Sequence, residues 1–228
     1  MKKLVLMAIA LLVSGMLQAQ EKYAKTEKKS FIALHAGPTF PVGDFNSNNT
    51  GNENAGFAKT GYTINLNYGY NFVPKAGITA SVFYNSYKTH QFSTAFLDGN
   101  TQAINLDIDH WKFYGLSAGP MLTFDLRKNI YSDIKVMGGI VNANSPKVTY
   151  NGVVMAEDDW SWAPAFQGGI NVRIGTGSNL FVFGNADFMY MKPKFSYKYT
   201  NENQQLVNED IKQKISAVNV SAGVGFNF

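Results

Sequence analysis

The terminal stretch Ile215 to Phe228, ISAVNVSAGVGFNF, constrains the fold more than any other part of the chain. Its even positions are Val218, Val220, Ala222, Val224, Phe226 and Phe228; its odd positions are Ala217, Asn219, Ser221, Gly223, Gly225 and Asn227. Side chains of a strand point alternately to opposite faces, so period-two alternation makes this a strand with two unlike faces. The odd face carries no charge and much glycine, and it offers little to a hydrophobic core. The even face is apolar and ends in aromatic rings. Such a strand needs its apolar surroundings on the outside.

The pattern recurs along the chain. Ile32, Leu34, Ala36, Pro38 and Phe40 alternate with Ala33, His35, Gly37 and Thr39. Tyr62, Ile64, Leu66, Tyr68, Tyr70 and Phe72 oppose Gly61, Thr63, Asn65, Asn67, Gly69 and Asn71. Ala76 to Tyr84, Tyr114 to Leu126, Ile130 to Ile140, Trp162 to Ile174 and Val182 to Tyr190 repeat it, which predicts eight strands with the terminal one. Short connections near Pro74, Lys128 and Gly177 interleave with long polar ones over Val42–Ala58, Thr89–His110, Asn142–Trp160 and Thr200–Lys214. Short turns at one end and long loops at the other are the habit of an up-and-down transmembrane barrel.

Composition supports lipid as the apolar surroundings. Charged residues make up 16% of the 228 residues and aromatic ones 14%, while the mean hydropathy of −0.15 excludes a helical membrane protein. Tyr62, Tyr84, Tyr114, Trp162 and Tyr190 lie at the loop ends of the apolar faces; Tyr70, Phe72, Phe124, Phe226 and Phe228 lie at the turn ends. Amphipathic rings settle at the headgroup level of a bilayer, and the spacing between the two sets matches the roughly 9–11 residues a tilted strand needs to cross it. An open sheet edge in hydrocarbon would strand unpaired backbone groups, so the sheet must close. The fold predicted is therefore all-β: an eight-stranded antiparallel up-and-down transmembrane β-barrel. A soluble lipocalin-like barrel, the rival, would place the apolar face inside.

Met1 to Ala19 has a basic start, an apolar run from Leu4 to Val13 and small residues after it, the features of a cleaved signal peptide ending at Ala19. The run is too short for a transmembrane helix of about 20 residues. Residues 20–30 read as a polar lead-in and 31–228 as the barrel. No cysteine is present, which excludes disulfides, thiolate metal sites and lipid attachment at cysteine. The formal charge of +4 falls to +2 without Lys2 and Lys3 of the leader, leaving no electrostatic footprint for nucleic acid.

From Phe31 to Phe228, with the segment Gly37-Pro38-Thr39-Phe40-Pro41-Val42-Gly43-Asp44-Phe45 and the Phe228 ending, the chain resembles the small outer-membrane barrels of the OmpA/OmpX-like kind. The resemblance implies outer-membrane residence as a monomer, contact with outer-membrane lipid and lipopolysaccharide, and no peptidoglycan-binding domain after the barrel. It also implies that Phe226 and Phe228 resemble the signal read by the barrel assembly machinery. No cofactor or metal is implied.

Candidate chemistry is sparse. His35 has inward parity and is expected to be a hydrogen-bonded lumen histidine beside Asn67 or Asn71 and asparagines of the last strand. Asp125, Asp133, Lys135 and Arg173 have inward parity near the turn end and are expected to form a compensated charge cluster, since isolated charges are costly in a low dielectric; separate solvation by water at the rim is the alternative. In the loops, Asp107, Asp109 and His110, with Glu157, Asp158 and Asp159, resemble the aspartate–histidine grouping of the omptin proteases. Those barrels are ten-stranded, and the pattern does not map position by position. His90 and Ser93 make no nucleophilic pair. The expectation is a non-enzymatic outer-membrane protein presenting four extracellular loops for envelope integrity, surface interaction or adhesion to an extracellular ligand or host surface. The alternatives are a narrow pore, suggested by inward glycines, and a lipid-modifying or proteolytic enzyme.

Overall fold

The computed structural model describes residues 29–228 except 50, 53, 91, 98–99, 151–152 and 201–205, so the leader expected at 1–19 and most of the lead-in lie outside the described residues. Eight long strands close into an antiparallel barrel: β1 (Ser30–Pro41), β2 (Ala58–Val73), β3 (Ala76–Thr89), β6 (Trp111–Arg127), β7 (Ile130–Asn144), β10 (Trp160–Gly175), β11 (Leu180–Met191) and β14 (Ile215–Asn227). Each pairs with its predecessor and successor, and β14 returns to β1 with Phe31 opposite Asn227 and Pro41 opposite Ala217. Full closure leaves no edge, as the bilayer argument requires.

Alternation decides the two surfaces. Leu34, Ile64, Leu66, Val82, Leu116, Ile140 and Phe166 point outward and are exposed, whereas Thr63, Asn67, Ser81, Ser117, Asn171 and Asn219 point inward and are buried. Ala76, paired with Leu122 on the same outward face as Ile78, is nonetheless buried, beside the register shift of β2 and β3 between Asn71 and Val73.

The long connections are not merely polar loops. The second and third contribute β4 (Phe92–Leu97), β5 (Asn100–Ile108), β8 (Val148–Tyr150) and β9 (Val153–Ala156), joined in one four-stranded sheet. The fourth begins at Lys192, earlier than its alternation suggested, and folds into the hairpin β12 (Lys194–Thr200) and β13 (Leu206–Lys212). The first carries a short 3-10 helix, Gly43–Asn46, that drops Phe45 into the loop end of the barrel. Gly43 stands at φ 63°, a left-handed conformation that favours glycine.

The lumen is not uniformly polar. Inward aromatic rings lie on inward glycines of the neighbouring strand: Phe31 opposite Gly69, Phe83 opposite Gly115, Phe181 opposite Gly225. A side chain at any of these glycines would collide with the ring. Gly69 and Gly225, two of the glycines that suggested unfilled space, are thus beds of interior rings, a pairing that lets a bulky ring lie flat across a strand, whereas Gly37, Gly61, Gly119, Gly139 and Gly223 abut the backbone of a neighbouring strand.

Candidate functional site: a layered lumen under a hydrogen-bonded cap

The lumen has three layers. At the loop end Phe45, Tyr87, Trp111, Phe113, Met191 and Phe195 form one buried apolar cluster, and at the turn end Phe31, Met121, Phe181 and Phe183 form another. Between them runs a polar layer. Small eight-stranded barrels have room only for filling side chains, and here the filling is sorted by chemistry along the axis.

Within the polar layer a continuous hydrogen-bond chain crosses four strands. The Thr39 hydroxyl bonds Tyr87 at 2.9 Å and Asn219; Asn219 Nδ2 donates to Asp187 Oδ1 at 2.9 Å; Asn185 Nδ2 donates to Asp187 Oδ2 and, at 3.4 Å, to Ser221. Ser221 Oγ meets His35 Nδ1 at 2.7 Å. His35 therefore sits beside strand β14 through a serine rather than an asparagine, with its ring 4.8 Å from that of Phe183. Asn67 neighbours His35, as expected, yet neither His35 Nε2 nor the Asn67 amide makes a well-formed hydrogen bond, a setting polar enough to hold ordered water. The chain orients its members but exposes no nucleophile to the outside.

Of the four charges placed together by parity, the structure pairs two directly. Arg173 donates from Nε to Asp133 Oδ2 at 2.9 Å and from Nη2 to Oδ1 at 2.8 Å, and Thr123 Oγ1 donates to the same Oδ1 at 2.8 Å. The guanidinium also lies 4.3 Å over Phe31. Asn171 stands between Asp133 and Asn185 in the ladder, two residues before Arg173 on β10. Lys135 is buried, with Asp187 and Asp133 as the acidic groups in its surroundings. Lys135 and Asp187 flank Gly169, whose missing side chain leaves the space between them. Asp125 does not join: it is exposed, at the register shift that ends the β6–β7 ladder between Asp125 and Arg127. Of the four, Arg173 and Asp133 meet directly; Lys135 makes no ion pair within 4.0 Å, and the acids in its surroundings are Asp187 and Asp133 rather than Asp125.

Two loop carboxylates, Asp158 and Asp159, hold hydrogen bonds within the loops, and Asp109 is tied through its backbone. Asp158 accepts from Asn144 Nδ2 at 3.0 Å, Asp159 Oδ2 accepts from Ser196 N at 2.8 Å, and the Asp109 amide donates to Lys147 O at 2.9 Å. Among the described residues no three histidines or acids converge as a metal site. In the β12–β13 hairpin, hydrogen bonds from Lys194 and Ser196 hold the Asp210 carboxyl below its ordinary range, so this 2.7 Å contact exists at neutral pH and is lost as pH falls through the lowered value. Both partners are half exposed, so the contact contributes little. Burial, with Lys59 nearby, lowers the pKa of His90.

The same hydrogen bonds fasten the loops into a cap. Trp111 Nε1 donates to Gly56 O at 3.0 Å, Gln213 Nε2 donates to Asn54 O at 2.8 Å, and Lys194 N donates to Ser161 Oγ at 3.2 Å.

Outside, Phe226 and Phe228 are exposed and stacked, 6.5 Å apart, and Phe228 exchanges backbone bonds with Ser30. The terminal aromatic thus lies on the outer wall where the barrel closes. Deleting Phe228 is expected to lower the amount of folded, heat-modifiable protein in membranes and to raise periplasmic degradation products. Unchanged membrane yield would show the ending to be incidental.

With closure, an apolar exterior and a filled lumen established, the comparison with solved structures is decisive for the fold. Neisserial surface protein A aligns with a TM-score of 0.51 at 16% identity, covering 87% of this chain and 97% of its own. The fold is that of the small outer-membrane barrels. A major outer membrane protein from Thermus thermophilus aligns with a TM-score of 0.52 at 9% identity, covering 87% and 99% of the two chains. No protein-family model matches the chain, and no curated protein does.

Proposed function

We propose that this chain is a non-enzymatic integral protein of the outer membrane that presents a rigid, loop-built platform at the cell surface. On this reading a signal peptide cleaved after Ala19 exports it. The assembly machinery inserts it with both mature termini in the periplasm. The observation that carries the reading is the union of a lipid-suited exterior with loops folded into their own sheet and hairpin and bonded to one another. A platform held this firmly suits recognition of an extracellular ligand or host surface, because little ordering entropy remains to be lost on binding.

Epitope insertions near Asn49, Gly99, Asn151 and Asn203 are expected to be labelled on intact cells, whereas labelling only after lysis of a correctly folded protein would overturn the topology. The last three positions lie outside the described residues. A comparison of whole-cell binding between a deletion strain and its complement tests the surface role itself. A narrow pore is the second reading. The polar middle layer favours it, and the aromatic layers at both ends oppose it; stepwise conductance of the wild-type protein in planar bilayers would decide for the pore.

A further inference from the structure

At the turn end the barrel carries a polar cavity of about 340 Å³, lined in part by Asn71, Asp125, Asn129, Tyr131, Arg173 and Ser178. That volume falls within the roughly 300–1,000 Å³ of pockets that hold a small ligand. Its walls are tied together through the backbone. Asn129 O accepts from Gly175 N at 2.7 Å, which joins the β6–β7 turn to the end of β10. Asn227 N donates to Asn179 O at 2.8 Å, which joins β14 to the β10–β11 turn. A cavity with walls already bonded loses little ordering entropy when it is filled.

Two charges of opposite sign line it, and each keeps capacity for a further partner. Arg173 uses Nε and one N–H of Nη2 on Asp133. A guanidinium has five N–H donors in a fixed fork, so its outer edge, Nη1 with the second N–H of Nη2, keeps its donors. Among the described residues no other acceptor bonds that edge. The guanidinium lies 4.3 Å from the Phe31 centroid and 5.4 Å from that of Tyr131, contacts that hold its plane. Asp125, which the buried cluster leaves out, is exposed at the turn end and forms no ion pair among the described residues. Asp125, Tyr131 and Arg173 stand on one rung of β6, β7 and β10, so the outer two Cα atoms are two strand spacings apart, about 10 Å.

We propose that this cavity binds a free dipeptide by its two charged ends. The carboxylate lies on the outer edge of Arg173 in the two-bond geometry that guanidinium groups favour, and the ammonium lies against Asp125. A lone anion would meet the unpaired Asp125, and a lone cation would meet Arg173; a ligand carrying both signs satisfies each. Length then selects among zwitterions. A single amino acid carries both charges on one carbon, whereas two residues of extended chain span about 7 Å. The Asp125 and Arg173 side chains cover the remainder of the rung. The side-chain amides of Asn71 and Asn129 on the wall suit the peptide group between the two ends. On the topology proposed above the cavity opens to the periplasm, but its chemistry is the same on either side.

The refolded, heat-modifiable chain in detergent is titrated calorimetrically with alanyl-alanine, with its N-acetyl derivative, with its C-terminal amide and with free alanine. Saturable binding of the dipeptide is expected, with free alanine weaker. Amidation removes the charge that meets a buried guanidinium and is expected to weaken binding about tenfold. Acetylation removes the partner of an exposed carboxylate and is expected to weaken it about fourfold. Asp125→Asn changes an exposed residue and leaves the Arg173–Asp133 pair in place. It should lower the affinity for alanyl-alanine about as much as acetylation does, and abolish the difference between the dipeptide and its acetyl derivative. No saturable binding of alanyl-alanine to the folded wild type overturns the site. So does an amide bound as well as the parent dipeptide, or a preference over the acetyl derivative that survives in Asp125→Asn.

Discussion

Arg173→Ala is expected to destabilise the folded barrel by about 3–5 kcal/mol, the range for removing one partner of a buried ion pair. The geometry places it there: Asp133 is fully buried, and the guanidinium gives it two of its three side-chain hydrogen bonds. The variant would leave Asp133 with Thr123 as its only direct donor and Lys135 as its nearby charge. Lys135 moderates the loss, so the low end of the range is expected. Replacing both partners by apolar residues of similar size, Arg173→Met with Asp133→Leu, should recover most of it, because the large term is the stranded carboxylate. Urea unfolding in detergent or lipid measures both. A loss below about 1 kcal/mol for Arg173→Ala would mean that water at the turn end screens the pair as it does at a surface.

The alternation of residues made most of this legible. Parity alone placed Asp133 and Arg173 on the inner face near the same rim, and antiparallel neighbours had to bring them together. Parity says nothing about height, however, or about where a ladder ends. Asp125 shares the parity of Asp133 but lies at a register shift where the strand leaves its partner, so its side chain reaches solvent. Asp187 has the same inward parity but lies farther along its strand, so closeness to the rim does not single it out. It shares a rung with Lys135 across Gly169, which has no side chain to stand between them.

The interior rings had a readable signal too. Phe31, Phe83, Phe113, Phe181 and Phe183 have the same odd parity as the lumen asparagines, and several face a glycine on the adjacent strand. They share that face with asparagine, serine, threonine and glycine, so its overall character reads as polar. The strands of the cap were harder to see: they have no lipid face, so their alternation is weak. Asp98-Gly99 and Asn151-Gly152 were the remaining hairpin signals in the sequence.

Trp111→Ala is expected to cost a similar 3–5 kcal/mol, the range for truncating a buried tryptophan, while leaving the barrel closed. Its ring is 4% exposed and touches Phe45 at 5.6 Å, Phe195 at 5.6 Å and Phe113 at 6.1 Å. Those rings come from the first loop, the fourth loop and the barrel wall, so one side chain joins three parts of the cap. Its Nε1 holds the first loop again through Gly56 O. Below the cap, the barrel strands keep their full backbone ladders, which the substitution does not touch. The energy should therefore be lost from the cap as local opening, which proteins undergo in contiguous units. Limited proteolysis should cut within residues 42–58 and 192–214 of the variant but not of the wild type, while heat-modifiability persists. Trp111→Phe separates the two contributions: it keeps most ring contact and loses only the bond to Gly56, a change on the order of 1 kcal/mol. If Trp111→Ala leaves both loops resistant to protease, they are held by the β12–β13 pairing and the Gln213 bond to Asn54 O instead, and the tryptophan only fills space.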